Sequence, residues 1–373
     1  MSRVWAEVDL DALRHNVRHL IRVAGGAELC AVVKADGYGH GAVPVARAAL
    51  EAGATRLAVA HVAEGVALRE AGLDAPIWLL SEPELSELAE LRRHRLEPAV
   101  YSRRVIEAAA DADGHHGGGA PLRLHLKVDT GMHRAGAHPS DAVDLACRIR
   151  AADGVVLGSV FTHCAVADEP ARPETADQLR CFDAALAALA RAGIDPPLTH
   201  AANTAGTLAH PSARRDVVRC GIGLHGLAPA PGLPGSEALR PTLSLHTRVA
   251  LVKRVPAGAS VSYGLRGSVT RDSTLATLPV GYADGFRRGR WQRADVLIGG
   301  ARRPVVGVVT MDQVVVDCGD DDVAVGDPVV LLGRQGDEVI SAEEWAAEVG
   351  TINYEIICGI GPRVARRYRS GRP

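Results

Sequence analysis

The sequence predicts an α/β chain in two parts: an N-terminal (β/α)8 barrel over residues 8–240 and a mostly-β domain over 241–373. Three observations carry that expectation. From about residue 29 to residue 222, eight short apolar runs alternate with helical patterns, which is the strand count of a (β/α)8 barrel. The piece GLAPAPGLPGSEALRP then breaks the texture with the proline and glycine density of a linker. Beyond it, strand-like runs follow one another between turns.

The eight runs are LCAVVKA, RLAVA, PIWLL, EPAVYS, LRLHLKVD, VVLGSVFTH, LTHA and DVVRC. Between them, SEPELSELAELRRHRL spaces its leucines helically behind an expected N-cap at Ser81, with Glu84 three residues on. TADQLRCFDAALAALARAG is a further helix, closed by Gly193. A doubly wound sheet is the runner-up, although it usually has fewer strands and needs a topological reversal for its ligand crevice. The second domain takes its strands from LHTRVALVKRV, STLATLPV, ADVLIGG, RRPVVGVV, QVVVDCG and DPVVLLG, with SAEEWAAEV as its helix. VWAEVDL alternates like a strand, so residues 1–7 are expected to join that domain.

Composition narrows the function classes. With 47% hydrophobic residues and a net charge of −2, the chain is neither disordered nor electrostatically suited to nucleic acid. The basic run RVARRYRSGR reads as a solvated end. The seven cysteines stand singly, without CxxC or zinc spacing, so no disulfide framework and no metal are expected and a reducing cytoplasm fits. MSRVWAEVDL lacks an apolar run and no later stretch is long enough for a membrane span.

Two motifs are decoys. GIGLHG matches a dinucleotide fingerprint, but LAPAPGLPG follows where a helix is required. HHGGG at His115 resembles a lipase oxyanion loop, yet no G-x-S-x-G elbow accompanies it.

Among 42 basic residues only Lys34, Lys127 and Lys253 are lysines. A lysine can lose its proton when desolvated, whereas arginine stays charged. Lys34 ends the first barrel strand, and Lys127 and Asp129 the fifth, with Arg134 just beyond. His163 ends the sixth, His200 and Asn203 the seventh, and Arg219 lies in the eighth. Barrel enzymes build their sites at these C-terminal strand ends, so the polar groups converge on one mouth. The Thr204 hydroxyl and the Gly221 and Ile222 amides follow the last two strands, where such barrels hold a phosphate. A reactive lysine beside a phosphate nest suggests pyridoxal 5′-phosphate.

AVVKADGYGHG resembles the cofactor-lysine motif of the alanine racemase family. The likeness continues through KVDTGMHR, FTHCAVAD, THAANTAGTL, VVRCGIG, VSYG, PVGYADG and VVTMDQ, in the family's order and over nearly the whole chain. It implies a homodimer in which each barrel mouth is completed by the other subunit, and D-alanine made for cell-wall precursors. By position, Lys34 would hold the cofactor and act as one base, and Tyr263 of the second subunit as the other. Tyr38, Thr204, Gly221 and Ile222 would hold the phosphate, Asn203 would be a further cofactor contact, and His163 would bind the cofactor and adjoin Tyr263. Arg219 would face the pyridine nitrogen, supported by His200. Arg134 would bind the substrate carboxylate; Tyr282, Met311 and Asp312 would line the pocket from the second subunit. Lys127 matches a lysine often carbamylated in the family. The chain departs from the family's pattern at Cys220, His225, Val308 and Pro362.

Racemisation takes a proton from one face of Cα and returns it to the other, which suits two bases. Free lysine and tyrosine both titrate near pH 10, so such bases need cationic surroundings. A racemase for serine or another small amino acid is the alternative enzyme. A non-catalytic pyridoxal-phosphate carrier shares the barrel but lacks the second domain.

Overall fold

A computed structural model describes residues 3–111 and 120–371. The chain forms two compact units: Ala12–Pro241, and the residues up to Asp11 together with those from Thr242 onward. The first strand, β1 (Trp5–Asp9), belongs to the latter.

The larger unit is the barrel. Its strands are β2 (Glu28–Val32), β3 (Arg56–Val59), β4 (Ile77–Leu79), β5 (Leu96–Val100), β6 (Leu122–Lys127), β7 (Val155–Phe161), β8 (Thr199–His200) and β9 (Val217–Cys220). They pair in parallel in the order β8-β7-β6-β5-β4-β3-β2-β9. The Asp216 amide donates to the Thr199 carbonyl at 3.1 Å, drawing the two end strands together so that the barrel is nearly closed. Every expected apolar run is a strand, because parallel strands covered on both faces must be apolar almost throughout. The exceptions are informative: β9 is buried along its whole length yet carries Arg219.

The helix Glu174–Arg191 ends as expected, with Gly193 in the left-handed region at φ +69°. Ser81, in contrast, caps nothing. A 3-10 turn starts at Leu85 behind Glu84, whose amide donates to Glu87, and the α-helix runs over Leu88–Arg93. Pro83 accounts for the difference, since the residue before a proline is kept out of helical conformation. Glu82 instead accepts the Tyr101 and Ser102 amides at 2.8 and 2.9 Å. GIGLHG forms a 3-10 turn at Ile222–His225 and no dinucleotide helix.

The smaller unit adds β10 (Leu243–Arg248), β11 (Leu251–Val255), β12 (Ser260–Val261), β13 (Gly267–Ser268), β14 (Ser273–Leu278), β15 (Asp295–Ile298), β16 (Ala301–Pro304), β17 (Val314–Asp317), β18 (Pro328–Gln335), β19 (Glu338–Ile340) and β20 (Ala365–Arg369). One sheet runs β16-β15-β18-β10-β1-β20, a second β11-β14-β17, and β12-β13 is a hairpin. The basic tail is largely solvent-exposed, as expected, but it is ordered as strand β20, parallel to β1. Arg367 lies over the Trp5 ring at 4.5 Å and Arg369 pairs with Glu7, so its charges are used at a sheet edge. Ser341 caps the expected helix Ala342–Val349, and a second short helix, Asn353–Cys358, follows it. Among the described residues no helix is long and apolar enough to cross a membrane.

Candidate active site

β2 ends at Val32, and Lys34 opens the turn beyond it. The next four residues, Ala35, Asp36, Gly37 and Tyr38, all have left-handed backbone with φ between 51° and 61°. Three of them carry side chains, so this is strained backbone of the kind that concentrates at functional sites. It is held from outside: the Ala35 amide donates to Glu64 at 2.6 Å and Asp36 accepts the Ala42 amide at 2.8 Å.

The turn delivers Tyr38 inward. Its buried ring lies 5.1 Å from that of His225, and its hydroxyl reaches Gly221 so closely that a Cβ there would stand 2.1 Å away. The Gly221 amide donates to the Thr204 hydroxyl at 3.1 Å. Tyr38, Thr204 and Gly221 are thus one cradle, with buried Ile222 next in chain. Asn203 is committed to structure: it caps the helix Thr204–Ala209 through the Gly206 amide at 2.8 Å.

Beside the cradle, cations gather. Lys127 is the last residue of β6, and its ammonium lies 5.8 Å from the Phe161 ring centre, with Arg219 5.3 Å from the same ring. Burial, then the charges of Arg219 and Arg134, push Lys127 down to about 8. His163 is held well below the ordinary histidine value by burial and by Arg219, Lys127, Arg134 and Lys34, so it is neutral. Burial pushes Arg219 down to about 10, which still leaves it a cation at neutral pH. Its guanidinium donates to the Thr162 carbonyl at 2.8 Å, to the Ala201 carbonyl at 3.1 Å and to His200 Nδ1 at 2.7 Å. Asp129 acts on Lys127 by its charge, and its own carboxyl, raised by burial, is lowered on balance by the Gly131, His133 and Met132 amides and the His133 charge.

The expected residues of the smaller unit form their own surface. Tyr263 follows β12 in a 3-10 turn and is 76% exposed. Ser262 before it is left-handed at φ +67° and donates its hydroxyl to the Val308 carbonyl at 2.7 Å, fixing the turn. Tyr282 and Met311 are also exposed. The Tyr282 and Ala283 amides donate to the Thr310 and Met311 carbonyls at 3.0 and 3.2 Å, so these two loops run as one. Arg363 clamps them, donating to both Asp284 oxygens at 2.7 and 3.0 Å and to Asp312 at 2.7 Å.

Sequence reading passed over Arg363, and over Glu97, His125 and Ser159 beneath Arg219. A signal existed for the latter, since each is a polar residue inside an apolar barrel run. His115 and the HHGGG motif lie outside the described residues.

Two family models match the chain: "Alanine racemase, N-terminal domain" over residues 8–229 and "Alanine racemase, C-terminal domain" over 242–368. An alanine racemase of Symbiobacterium thermophilum is 50% identical, covering 99% of this chain and 97% of its own. The crystal structure of the alanine racemase from Streptomyces lavendulae, a D-cycloserine producer, superposes with a TM-score of 0.92 at 40% identity, covering 100% of this chain and 98% of its own. That of Bacillus anthracis with bound L-Ala-P gives 0.91 at 38% identity, with coverage of 99% and 96%.

Proposed function

The chain belongs to the alanine racemase family, and we propose that it interconverts L- and D-alanine with pyridoxal 5′-phosphate held in the barrel mouth. The observation that carries this reading is the gathering of Lys34, Lys127, Arg134, His163 and Arg219 into one electrostatic cluster. The donor set fits the cofactor. The Tyr38 and Thr204 hydroxyls and the Gly221 and Ile222 amides suit its phosphate, and the tight Tyr38–Gly221 approach makes the cradle specific to glycine. Lys34 would hold its aldehyde carbon and Arg219 would face its ring nitrogen. When bound, the cofactor withdraws electrons from the substrate and makes the Cα proton acidic.

This chain's residues do the rest. Lys34 Nζ takes or returns the proton on one face of Cα, and the Tyr263 hydroxyl of a second subunit serves the other. The exposure of Tyr263, Tyr282 and Met311 supports a surface completed by a second copy. Arg134 receives the substrate carboxylate, while Tyr282, Met311 and Asp312 limit the room for its side chain. Arg219 cannot lend a proton to a ring nitrogen as a carboxylic acid would, which keeps the electron sink weak and favours reprotonation. Lys127, its amine pushed down to about 8, has the neutral fraction needed to react with carbon dioxide. As a carbamate it would offset the surrounding cations. Seven cysteines that stand singly in the sequence suit a reducing cytoplasm.

Incubating pure protein and cofactor with single L-amino acids, followed by chiral chromatography, tests the proposal. Alanine turns over fastest, serine more slowly, and leucine or arginine hardly at all. Comparable kcat/KM for leucine and alanine, or no D-alanine formed, would contradict it.

A further inference from the structure

We propose that Glu97 is a positioning residue of this enzyme: through His125 and Ser159 it fixes the tautomer of His200, so that His200 always offers Arg219 a lone pair. The inference rests on the reading of Arg219 as the group that faces the cofactor's ring nitrogen, and extends it by three residues.

The four links come from five consecutive barrel strands. Arg219 on β9 donates from Nη1 to His200 Nδ1 on β8 at 2.7 Å. His200 Nε2 lies 2.9 Å from Ser159 Oγ on β7. Ser159 Oγ lies 2.7 Å from His125 Nδ1 on β6. His125 Nε2 lies 3.0 Å from Glu97 Oε2 on β5, which also accepts the Trp78 indole N–H at 2.9 Å. Ser159 is the register partner of His125, while Glu97 and His200 stand two residues out of register with their neighbours in the relay and so on the same face of the sheet; one polar residue per strand suffices to cross the barrel.

The ends of the chain settle its direction. A guanidinium has only donors, so the Arg219 bond is made only when His200 Nδ1 accepts and its proton sits on Nε2. That N–H donates to Ser159, whose own hydrogen is then directed at His125 Nδ1. His125 therefore also carries its proton on Nε2, and gives it to a carboxylate that can only accept. Both ends demand the same polarity, and every link satisfies it. Burial keeps both imidazoles below the ordinary histidine range and hence neutral. Burial pushes the Glu97 carboxyl up, but the bonds from His125 and Trp78 outweigh it and hold it ionised. His200 cannot rotate freely, because its ring is stacked between Trp78 at 4.7 Å and Phe161 at 4.6 Å.

The opposite polarity would set a His200 N–H against the Arg219 N–H, two buried donors with no acceptor between them. Arg219 would then turn from the ring nitrogen or lose its hold on the Thr162 and Ala201 carbonyls. Glu97 prevents this from across the barrel. A buried network of this kind is favourable only while every member is satisfied.

Nitrogen-15 NMR of histidine-labelled, cofactor-loaded protein reads the tautomers directly, with His125 and His200 assigned by removing each in turn. The expected result is neutral Nε2–H at both. Glu97→Leu and Ser159→Ala should each shift His200 toward Nδ1–H and lower kcat by about tenfold or more, the scale on which supporting hydrogen bonds act. Glu97→Gln, whose amide oxygen can accept both N–H groups, should restore the Nε2–H form and most of kcat. Ser159→Ala removes little volume and keeps the test valid if Glu97→Leu folds poorly. An Nδ1–H or doubly protonated His200 in the wild type overturns the proposal, as does an unchanged tautomer with wild-type kcat in both disruptive variants. Because tautomers are read apart from turnover, a protein that shows this pattern yet racemises nothing leaves the relay standing and sinks the racemase reading alone.

Discussion

A Cβ added to Gly221 would stand 2.1 Å from the Tyr38 hydroxyl and 2.7 Å from its ring carbon Cζ. No carbon can sit there. Gly221 has φ −118°, which any residue adopts, so glycine is required by the approach of the tyrosine and not by backbone conformation. Tyr38 is itself buried against His225 and has little room to retreat.

Gly221→Ala therefore displaces Tyr38 from the phosphate cradle. Overpacking of this kind costs about 1–3 kcal/mol of stability. Cofactor affinity should fall at least about tenfold, the loss of one good hydrogen bond to a charged group. Absorption titration of the apo-protein with pyridoxal 5′-phosphate measures this, and wild-type affinity would contradict the cradle.

The depressed Lys127 has a pH dependence of defined sign. Carbon dioxide adds only to a neutral amine, whose fraction rises as pH passes through about 8. After removal of bicarbonate, carbon-13 bicarbonate should label Lys127 readily at pH 8.5 and poorly at pH 6.5, with activity returning in step. Uncarbamylated, a lysine lowered from its ordinary value of 10.5 to about 8 binds fewer protons folded than unfolded in that window. Its contribution to stability should then fall as pH drops from about 10.5 to about 8. Carbon-13 NMR of the wild type against Lys127→Gln checks the labelling; equal signal in both would refute the site.

Arg363 ties the Tyr282 loop to the Met311–Asp312 loop through Asp284 and Asp312. Arg363→Ala should loosen both without touching either base. KM for alanine should rise, by about tenfold on the scale of a lost charged hydrogen bond, while kcat changes less. Arg363→Lys should rescue poorly, because an ammonium cannot span two carboxylates in a fixed fork. Steady-state kinetics of the two variants decide it, and an unchanged KM in both would remove the clamp from the account.

All eight barrel strands were legible because burial on both faces forces apolar runs, and the polar residues that ended them stood out against that background. Lys34, Lys127, His163 and Arg219 were singled out in this way, and in the structure their charges act on one another. The path from Glu97 to Arg219 was not, since it depends on which residues face each other across strands, and register is invisible in a single run. Ser81 misled because Pro83 outranks a capping pattern. The tail RVARRYRSGR hid a strand because an exposed edge strand carries the same charges as any solvated end.

Subunit exchange decides whether a site draws Lys34 from one subunit and Tyr263 from another. Lys34 and Tyr263 belong to different compact units of the chain, so nothing in chain order obliges them to share a subunit. Lys34→Ala and Tyr263→Phe homodimers should each be nearly inactive. When the two are mixed and reassociated at random, half of the dimers are hybrids, and each hybrid has one doubly defective and one intact site. Racemisation should return to roughly a quarter of the wild-type level under twofold symmetry. If both bases came from one chain, every site in the mixture would still lack one of them, and no activity would return despite exchange proven by size-exclusion chromatography of differently tagged subunits.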